Sequence, residues 1–454
     1  MSVLSARGAS GWMWIATSAV ILPVAISVAF LEAASEPGTG PFLLLGCALV
    51  FLAVRRPWWI LPGFIALTWM SLPQQIYGGL PSPVETGGLI LLGVALWRAW
   101  RSPELARAPL TILVLIALAD VATGLVAVGG PVIPFDALGS LSFLLIVALT
   151  VRGEDGVERV AIGLCAVGVL LGLGAAYSVL VHPTGLFPLT EEVGGPEAVR
   201  AAGPFGEANF FALSLAALVP FAIYLISRNG ARRALGAVSA SSLIAGVLAT
   251  GSRGALIAIA FGLAAFALFG ADRRARVAVG IALLVALAIA PAFSAQTSSS
   301  AERTISGRTT ENRVSVAMFW GHPVTGVGPG GYPPLYRDYA RRIGNDPRSL
   351  REPHSLPLQI AAEQGIVGLI AWVAAGAVAF GYARARRLWL VPIGQATILS
   401  LATYMIGSLF LHGSQLNLLF ILIGLLLALG AVPSKSATER NGRPRQPLKI
   451  LEGA

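Results

Sequence analysis

The sequence predicts an all-α, polytopic helical membrane protein, with about 12–14 transmembrane helices. Of its 454 residues, 56% are hydrophobic and only 12% are charged, whereas soluble domains contain about 25% charged residues. The hydrophobic residues do not alternate with polar ones but gather in runs, and an apolar helix of about 20 residues crosses the roughly 30 Å hydrocarbon core of a bilayer. A water-soluble globular protein is therefore excluded.

The hydrophobic runs define fourteen candidate spans, of which the second to fourth are short or interrupted by proline and glycine. In chain order they lie at about 12–30, 41–54, 57–72, 87–100, 109–128, 136–151, 160–181, 209–227, 234–250, 255–270, 277–293, 357–383, 388–411 and 415–432. The first run follows Arg7 and has no convincing cleavage site with small residues. It is predicted as a retained span rather than a signal peptide.

The basic residues follow the topology that these spans imply. With a cytoplasmic N-terminus, 22 of the 32 lysines and arginines fall in inner segments, as the positive-inside rule expects. Eight more lie in one long outer segment, 294–356, and long segments are partly exempt from that rule. Arg200 and Arg253 remain as the basic residues of the short outer segments. Topology therefore explains the net charge of +10 better than nucleic-acid binding does.

Five regions follow from this pattern. They are N-terminal transmembrane helices (1–199), transmembrane helices with arginine motifs (200–293), a long outer loop (294–356), C-terminal transmembrane helices (357–432) and a disordered basic cytoplasmic tail (433–454). Short helices are predicted in the outer loop at about 309–320 and through LYRDYARR, with a Gly/Pro-rich turn between them. A loop of about 60 residues is marginal as an independent domain, so it is expected to pack on the outer mouth of the bundle.

Two arginines stand at predicted membrane surfaces. Arg200 opens the stretch RAAGPFGEAN, whose glycines permit a tight chain path and in which Asn209 is placed to cap the next helix. Arg253 lies in TGSRG, a connection between spans so short that its guanidinium must sit near the hydrocarbon boundary. An unpaired charge there is costly, so each arginine is predicted to face a watery cavity or a phosphate or pyrophosphate, which matches the guanidinium fork. The alternative is that each arginine snorkels and anchors its helix.

His354 lies in PHSLP, directly before a predicted helix. Ser355 is a plausible cap and Pro357 is tolerated in a first turn. The helix dipole is then expected to lower the pKa of the imidazole, which leaves it neutral and able to act as a general base. The alternative is an interfacial histidine that satisfies a helix end. Three further histidines also fall on the outer side: His182, His322 and His412.

Other polar residues fall within the apolar runs. Asp120 is the one clearly intramembrane acid, and it either pairs with another helix or marks a proton path. Glu363, in the helix after His354, is predicted to make a polar contact inside the bundle. Cys47 and Cys165 both lie in apolar runs, so neither a disulfide framework nor a cysteine metal site is predicted. No Asp-x-Asp pair or His/Glu cluster has metal-ligand spacing, so no metal and no cofactor are expected.

Four motifs occur in a defined order in the second half of the chain. They are RAAGPFGEANFFA (200–212), LATGSRGAL (248–256), ENRVSVAMFWGHPVTGVGPGGY (311–332) and PHSLPLQIAAEQGIVGL (353–369). Together they resemble the O-antigen ligase and O-antigen polymerase superfamily of bacterial integral-membrane glycosyltransferases. The resemblance covers residues 200–369, and the first 199 residues match only in being a series of membrane helices.

The resemblance implies an enzyme of the bacterial cytoplasmic (inner) membrane with its active face outside. It would transfer a glycan from undecaprenyl diphosphate to an acceptor hydroxyl without a metal. Its expected partners are a lipid-linked glycan donor, a glycan or lipid acceptor and membrane lipids. Nucleic acid is not an expected partner. Carried over by position, Arg200 and Arg253 would hold the diphosphate and stabilise its developing charge. His354 would activate or orient the acceptor. Further candidates for contact with the substrate are Asn209, Arg313 and Tyr332.

Two alternatives stay open at this point. The sequence does not choose between a ligase, whose acceptor is a lipid or protein, and a polymerase, whose acceptor is a second lipid-linked glycan. From another class, a polytopic transporter or flippase for a lipid-linked glycan is the second reading. A transporter should have paired broken helices and membrane-embedded acids or bases on several spans, whereas here the notable charges gather at one face.

Overall fold

A computed structural model describes residues 61–65, 68, 83–181, 190–192, 199–269, 298–345, 353–411 and 417–430. The predicted spans at 12–30, 41–54 and 277–293, most of 57–72 and the predicted tail lie outside the described residues. Within those ranges helices dominate, and the other regular structure is a ribbon of two short antiparallel strands. The predicted helical fold class is confirmed.

The helices of the described residues agree in place with the predicted spans. In chain order they are α1 (Pro83–Arg101), α2 (Pro103–Leu125), α3 (Phe135–Thr150), α4 (Gly153–Val181), α5 (Ala208–Ile226), α6 (Ala231–Thr250), α7 (Arg253–Phe269), α8 (Ser298–Gly321), α9 (Tyr332–Arg342), α10 (Leu356–Ala385), α11 (Pro392–Gly407) and α12 (Asn417–Leu429). The strands β1 (Thr190–Glu192) and β2 (Val199–Ala201) stand between α4 and α5. This ribbon was not predicted from the sequence.

Six of these helices are long and apolar enough to cross a membrane. They are α2, α4, α5, α6, α10, and α11 together with the turn that follows it to Phe410. Shorter apolar helices occur within α3, α7 and α12. Several helices begin with proline, such as Pro103 and Pro392. Proline has no backbone N–H, and this is tolerated in the first turn because the N–H groups there have no partner within the helix. The protein is a polytopic helical membrane protein.

The central helix of the bundle is α5. Its residues are buried almost without exception from Ala208 to Leu225, and a helix that is apolar on all sides belongs in a core. It packs against α4, α6, α7 and α11. Small hydroxyl side chains join neighbouring helices: Ser400 of α11 donates to the carbonyl of Ala217 in α5. Such hydrogen bonds help to hold helices together where no water is available.

The chain alternates between two ends of the bundle. At one end, which we call the hairpin end because it carries β1 and β2, Arg200 contacts the last residue of α6, and the N–H of Val128 donates to Val327 (3.0 Å). At the opposite end, Arg98 of α1 donates to the carbonyl of Thr150, the last residue of α3 (2.9 Å). The alternation agrees with the predicted order of spans. The outward orientation of the hairpin end remains a prediction.

The outer loop contains two helices, as predicted, but α8 starts at Ser298, well before the predicted start at about 309. Serine and threonine are abundant in this first part of α8. These residues compete with the helix backbone for hydrogen bonds and favour turns in a sequence pattern. The pattern therefore indicated a loop where the structure has helix.

The transmembrane helix α10 is broken at Gly365, whose backbone is non-helical (φ 61°, ψ −151°). The segment 322–331, which we call the docking loop, fits into this break. Four backbone hydrogen bonds join them: Val327 and Gly328 donate to Ala362 and Glu363 (2.9 and 2.8 Å), and Ile366 and Val367 donate to Pro323 and Val324 (2.9 and 3.2 Å). The helix ends that the break creates inside the bundle are thus satisfied by the loop.

Glycine is required on both sides of this junction. Gly326 and Gly365 have positive φ angles (66° and 61°), which L side chains rarely adopt. A Cβ atom on Gly326 would lie 2.3 Å from the carbonyl carbon of Glu363, and one on Gly365 would lie 2.5 Å from the carbonyl carbon of Val324. The backbones of the docking loop and α10 are therefore so close at these two positions that a side chain does not fit between them.

Candidate functional site

Arg200 lies on β2, at the junction of the hairpin with α5 and α6. In the strand register it stands opposite Glu191. Its Nε donates to the carbonyl of Thr250, the last residue of α6 (2.6 Å), and its Nη2 donates to Oδ1 of Asn209 (3.0 Å). The last carbonyls of a helix lack intrahelical partners and carry partial negative charge, so the guanidinium stabilises the C-terminus of α6. These contacts fix the orientation of Arg200.

The prediction that Asn209 caps α5 is wrong. Glu207 is the N-cap, and its carboxylate accepts from the backbone N–H groups of Asn209 and Phe210 (3.1 and 2.7 Å). A carboxylate at this position also matches the positive end of the helix dipole. The Asn209 side chain instead donates to Glu207 (2.6 Å) and accepts from Arg200. Its amide thus links the cap to the guanidinium.

Arg253 is the first residue of α7 and is exposed. It follows a tight turn in which Gly251 ends α6 in the left-handed region (φ 63°). The same turn lies against Arg200: a Cβ atom on Gly251 would be 3.6 Å from Nε of Arg200. The two arginines that the topology rule does not explain therefore stand beside one connection.

A third arginine, Arg308 of α8, joins them. Burial is the main reason why the pKa of Arg308 lies below its ordinary value. The neighbouring charges act in both directions: Glu311 and Glu207 raise this pKa, whereas Arg200 and Arg253 lower it. Because burial is the main cause of this shift, the guanidinium of Arg308 has lost hydration that the oxygens of an anionic ligand would replace. We call Arg200, Arg253 and Arg308 the site arginines.

The Nε atom of Arg308 is buried and has no hydrogen-bond partner among the described residues. A buried donor without a partner costs about 1–3 kcal/mol, and more when the group is charged. An anionic oxygen placed between the site arginines would satisfy this donor. The geometry therefore fits the predicted phosphate or diphosphate.

His354 directly precedes Ser355, the N-cap of α10, as predicted, although the Ser355 side chain makes no capping hydrogen bond. The Nε2 atom of His354 lies 3.6 Å from Oε2 of Glu311. The Glu311 side chain is fully buried, whereas 26% of the His354 side chain is exposed. A buried carboxylate thus stands behind an imidazole that reaches the surface, the order of groups used to orient a general base.

Glu311 connects the histidine to the site arginines. It lies one turn after Arg308 on α8, and residues three apart in a helix share a face. Its charge also acts on Arg308. Positive groups from β2, α7 and α8 and one histidine therefore meet around a buried carboxylate at the hairpin end.

Residues 238–373 match the sequence model of a protein family described as O-antigen ligase. These residues are similar to that family, and the match lies in the second half of the chain. The match confirms the resemblance to the O-antigen ligase and polymerase superfamily drawn from the four motifs. None of the curated proteins matches the chain.

The residues that match the O-antigen ligase family contain most of the site described above. Arg253, Arg308, Glu311 and His354 lie within the matched residues. Arg200 precedes the match, but its hydrogen bond to Thr250 reaches into the matched residues. The glycosyltransferase class of the predicted enzyme agrees with this family.

Two further predicted substrate-binding residues, Tyr332 and Arg313, also lie within the matched residues. Tyr332 is fully buried: its O–H donates to the backbone carbonyl of Glu311 (2.8 Å), and its N–H donates to Oε1 of Glu363 (3.2 Å). Burial raises the pKa of Tyr332, so it stays a neutral phenol. Arg313 is exposed and lies about 140° around α8 from Arg308. The structure does not bring Arg313 to the site arginines.

The two predicted intramembrane acids have defined partners. Asp120 of α2 accepts from Nε2 of Gln364 (2.6 Å), so it pairs with another helix, as one of the two alternatives expected. Glu363 accepts from Tyr332 and from Nε2 of Gln359 (3.2 Å), which confirms the predicted polar contact inside the bundle. Both acids lie beside the break in α10, and Glu363 also binds the docking loop through its backbone carbonyl, which accepts from Gly328.

Sequence reasoning missed Arg308, Glu311 and Glu207 as site residues. A signal was present for two of them, because Arg308, Glu311 and Ser315 recur at the spacing of one helix face. Arg308 was overlooked because it stands one residue before the predicted start of that helix. No group of three or more His, Cys, Asp or Glu residues in the described ranges is arranged to hold a metal. Metal independence stays a prediction.

Proposed function

We propose that this protein is a membrane glycosyltransferase that moves a glycan from undecaprenyl diphosphate to an acceptor hydroxyl at the outer face of the bacterial cytoplasmic membrane. The observation that carries the proposal is the meeting of the three site arginines with the Glu311–His354 pair at one end of the bundle. The match of residues 238–373 to the O-antigen ligase family supports the same class of reaction.

The site arginines would bind the diphosphate of the donor. A guanidinium offers a planar fork of donors to phosphate oxygens, and Arg200 is already oriented by Thr250 and Asn209. As the glycosidic C–O bond breaks, its electron pair moves to the diphosphate oxygen, and the nearby positive charges stabilise that oxygen. Each positioned donor to a developing oxyanion is typically worth about 10²–10³ in rate.

His354 would take the proton of the acceptor hydroxyl as that oxygen attacks the anomeric carbon. Glu311 lies behind the imidazole and would stabilise the imidazolium that forms. Because the Glu311 side chain is fully buried, it is not accessible as a nucleophile, and the proposal includes no covalent glycosyl-enzyme. A single displacement of this kind inverts the anomeric centre.

The transport alternative is less well supported by the contacts. Broken helices occur in transporters, where they line substrate sites, and α10 is broken at Gly365. This break, however, is filled by the docking loop, and Asp120 next to it is hydrogen-bonded to Gln364. Among the described helices α10 alone shows such a break. These contacts favour glycan transfer.

The direct test is release of the carrier. Purified protein given a glycan on undecaprenyl diphosphate and an acceptor is expected to release free undecaprenyl diphosphate. His354→Ala should lower turnover by about 10²–10⁴-fold, the usual contribution of a positioned base. His322→Ala is the matched control, since His322 makes its described hydrogen bonds through its backbone. Wild-type turnover of His354→Ala at both pH 6 and pH 8 would exclude a general base at this position.

A second experiment separates the two acceptor classes. The lengths of surface glycans are compared in cells with and without the gene. Shortened chains in the absence of the protein would assign a polymerase, whereas full-length chains that stay unattached would assign a ligase. Unchanged chains would contradict both.

Sidedness has its own test. Asn345 is exposed just after α9, and it is replaced by cysteine for labelling. Of the two native cysteines, Cys165 is buried, and the unsubstituted protein measures the background labelling of both. An impermeant thiol reagent is expected to label Asn345→Cys in intact cells. Labelling only after lysis would reverse the proposed orientation.

A further inference from the structure

The end of the bundle opposite the hairpin carries a basic cavity that the proposed reaction does not use. It has a volume of about 620 Å³ and lies between the end of α1, the end of α3 and the start of α4. We call it the Trp97 pocket. Its polar and aromatic lining includes four arginines and a single acid: Trp97, Arg98, Arg101, Arg152, Asp155 and Arg159. Since α4 has 29 residues, this pocket is roughly 40 Å from the site arginines.

Its walls are held in place by specific contacts. Arg98 donates through Nη1 to the carbonyl of Thr150, which anchors one guanidinium at the C-terminus of α3 (2.9 Å). The guanidinium carbon of Arg101 lies 4.8 Å from the centroid of the Trp97 ring, in a cation–π contact. Arg98 and Arg152 are close enough to repel each other. The cavity is therefore a preformed positive site.

Membrane topology alone does not account for this arrangement. The positive-inside rule requires basic residues on one side of the membrane, but it does not require that they converge. Here arginines from α1, from the α3–α4 junction and from α4 line one cavity, while Arg107 at the same end is exposed and stays outside it. Like charges around a shared cavity repel each other, and an anion bound between them would offset this repulsion.

We propose that the Trp97 pocket binds the phosphate-bearing headgroup of an anionic phospholipid from the adjacent leaflet. Guanidinium groups match phosphate oxygens, and basic pockets between transmembrane helices are suited to such headgroups. Trp97 and Trp100 are 50% and 88% exposed beside the pocket. Exposed tryptophans of this kind sit at the depth of lipid headgroups. The inference is independent of the proposed glycan transfer.

The first experiment asks whether the pocket takes a lipid or a free phosphate. The melting temperature of the full chain in detergent is followed during titration with phosphatidylglycerol, with phosphatidylcholine of the same acyl chains, and with inorganic phosphate. A ligand that binds only the folded state raises the melting temperature as its concentration exceeds its Kd. Stabilisation by phosphatidylglycerol alone is expected. Equal stabilisation by the two lipids, or stabilisation by inorganic phosphate alone, would overturn the lipid assignment.

The second experiment locates the effect with charge-matched variants. Arg101→Gln with Arg152→Gln removes two charges from the pocket and is expected to weaken apparent phosphatidylglycerol affinity roughly 30-fold, because each basic residue near a lipid surface contributes about fivefold. Arg107→Gln with Arg384→Gln removes two exposed charges from the same end, outside the pocket lining. This control should keep its affinity. Equal weakening of both variants would show that general surface charge, not the pocket, attracts the lipid.

A third variant changes the charge in the other direction. Asp155 is exposed and is the single acid in the lining. Asp155→Asn is expected to tighten phosphatidylglycerol binding roughly fivefold. Unchanged or weaker binding would contradict a site in the Trp97 pocket. Arg101, Arg152 and Asp155 are all exposed, so these substitutions should preserve the fold, which the melting temperature without lipid checks.

Discussion

Arginines occur at both ends of the bundle, but their partners differ. At the end opposite the hairpin, Arg228 and Arg232 both contact the carboxylate of Glu158 (3.6 and 2.5 Å), and Arg228 also donates to the hydroxyl of Tyr224 (2.6 Å). We call these residues the Glu158 cluster. It joins α4, α5 and the start of α6 through paired charges.

The site arginines of the hairpin end have a different environment. Arg200 donates to a backbone carbonyl and to an amide oxygen, and the charges of Arg200 and Arg253 act on Arg308 beside those of Glu311 and Glu207. An arginine that is bound by a carboxylate thus links neighbouring helices. Where several guanidinium groups lie close together, arginine is also suited to binding an anion. The partners of an arginine, rather than its place at a membrane surface, indicate its role.

The strongest test of this difference replaces arginine by lysine at each end. Arg253→Lys keeps the charge but loses the fork, so turnover should fall about 10²–10³-fold. Arg232→Lys should keep wild-type turnover, because the Glu158 cluster lies far from the site. Release of free undecaprenyl diphosphate measures both. Equal turnover of the two variants would remove the distinction between the clusters.

The hairpin end should also depend on its irregular backbone. Gly326→Ala places a Cβ atom against the backbone of α10 in a left-handed residue, and it should destabilise the protein by about 2–5 kcal/mol. Gly330 has a similar φ (71°) but open space around it, so Gly330→Ala should cost only about 1–2 kcal/mol. Thermal unfolding in detergent compares them. Identical melting temperatures would mean that contact with α10 does not matter.

A carboxylate can be neutralised at each end as a third comparison. Glu311→Gln should lower turnover about tenfold or more, because the imidazolium of His354 loses its partner. A carboxylate favours the protonated imidazole, so its removal should also move the acid limb of the pH profile to lower pH. Glu158→Gln should lower the melting temperature and leave turnover unchanged. An unaltered pH profile of Glu311→Gln would contradict the positioning role.

The smallest effect is expected within the Glu158 cluster. Arg232 is 41% exposed in its side chain, and Arg228 remains near Glu158 when Arg232 is replaced. Arg232→Gln should therefore destabilise the protein by only about 0.2–1 kcal/mol. The loss should shrink at high salt, which screens exposed pairs. Melting temperatures at low and high ionic strength provide the measurement, and a salt-independent loss would indicate packing rather than charge.

The sequence predicted the parts of the molecule that depend on local pattern. Apolar runs indicated the helices, and charge asymmetry drew attention to Arg200 and Arg253, which the structure places beside one turn. The placement of His354 before α10 followed from Ser355 and a first-turn proline. Such signals are contained in a few neighbouring residues. No long-range contact is needed to read them.

The remainder depends on contacts between distant segments. Glu311 meets His354 only because α8 and the start of α10 come together at the hairpin end. The apolar pattern of α10 continues through Gly365, so periodicity gives no sign of the break that the docking loop fills. At the start of α5, asparagine is the more common cap. Glu207 takes that position while the amide of Asn209 engages Arg200.

The fit of the docking loop into α10 has a consequence for biogenesis. The loop leaves the ribosome before the residues at 362–367 that complete its backbone hydrogen bonds. A nascent chain released before His354 would already hold all three site arginines, yet it would lack both the histidine and the receptor for the loop. Assembly of the hairpin end is therefore complete only after α10 has been made and has received the docking loop.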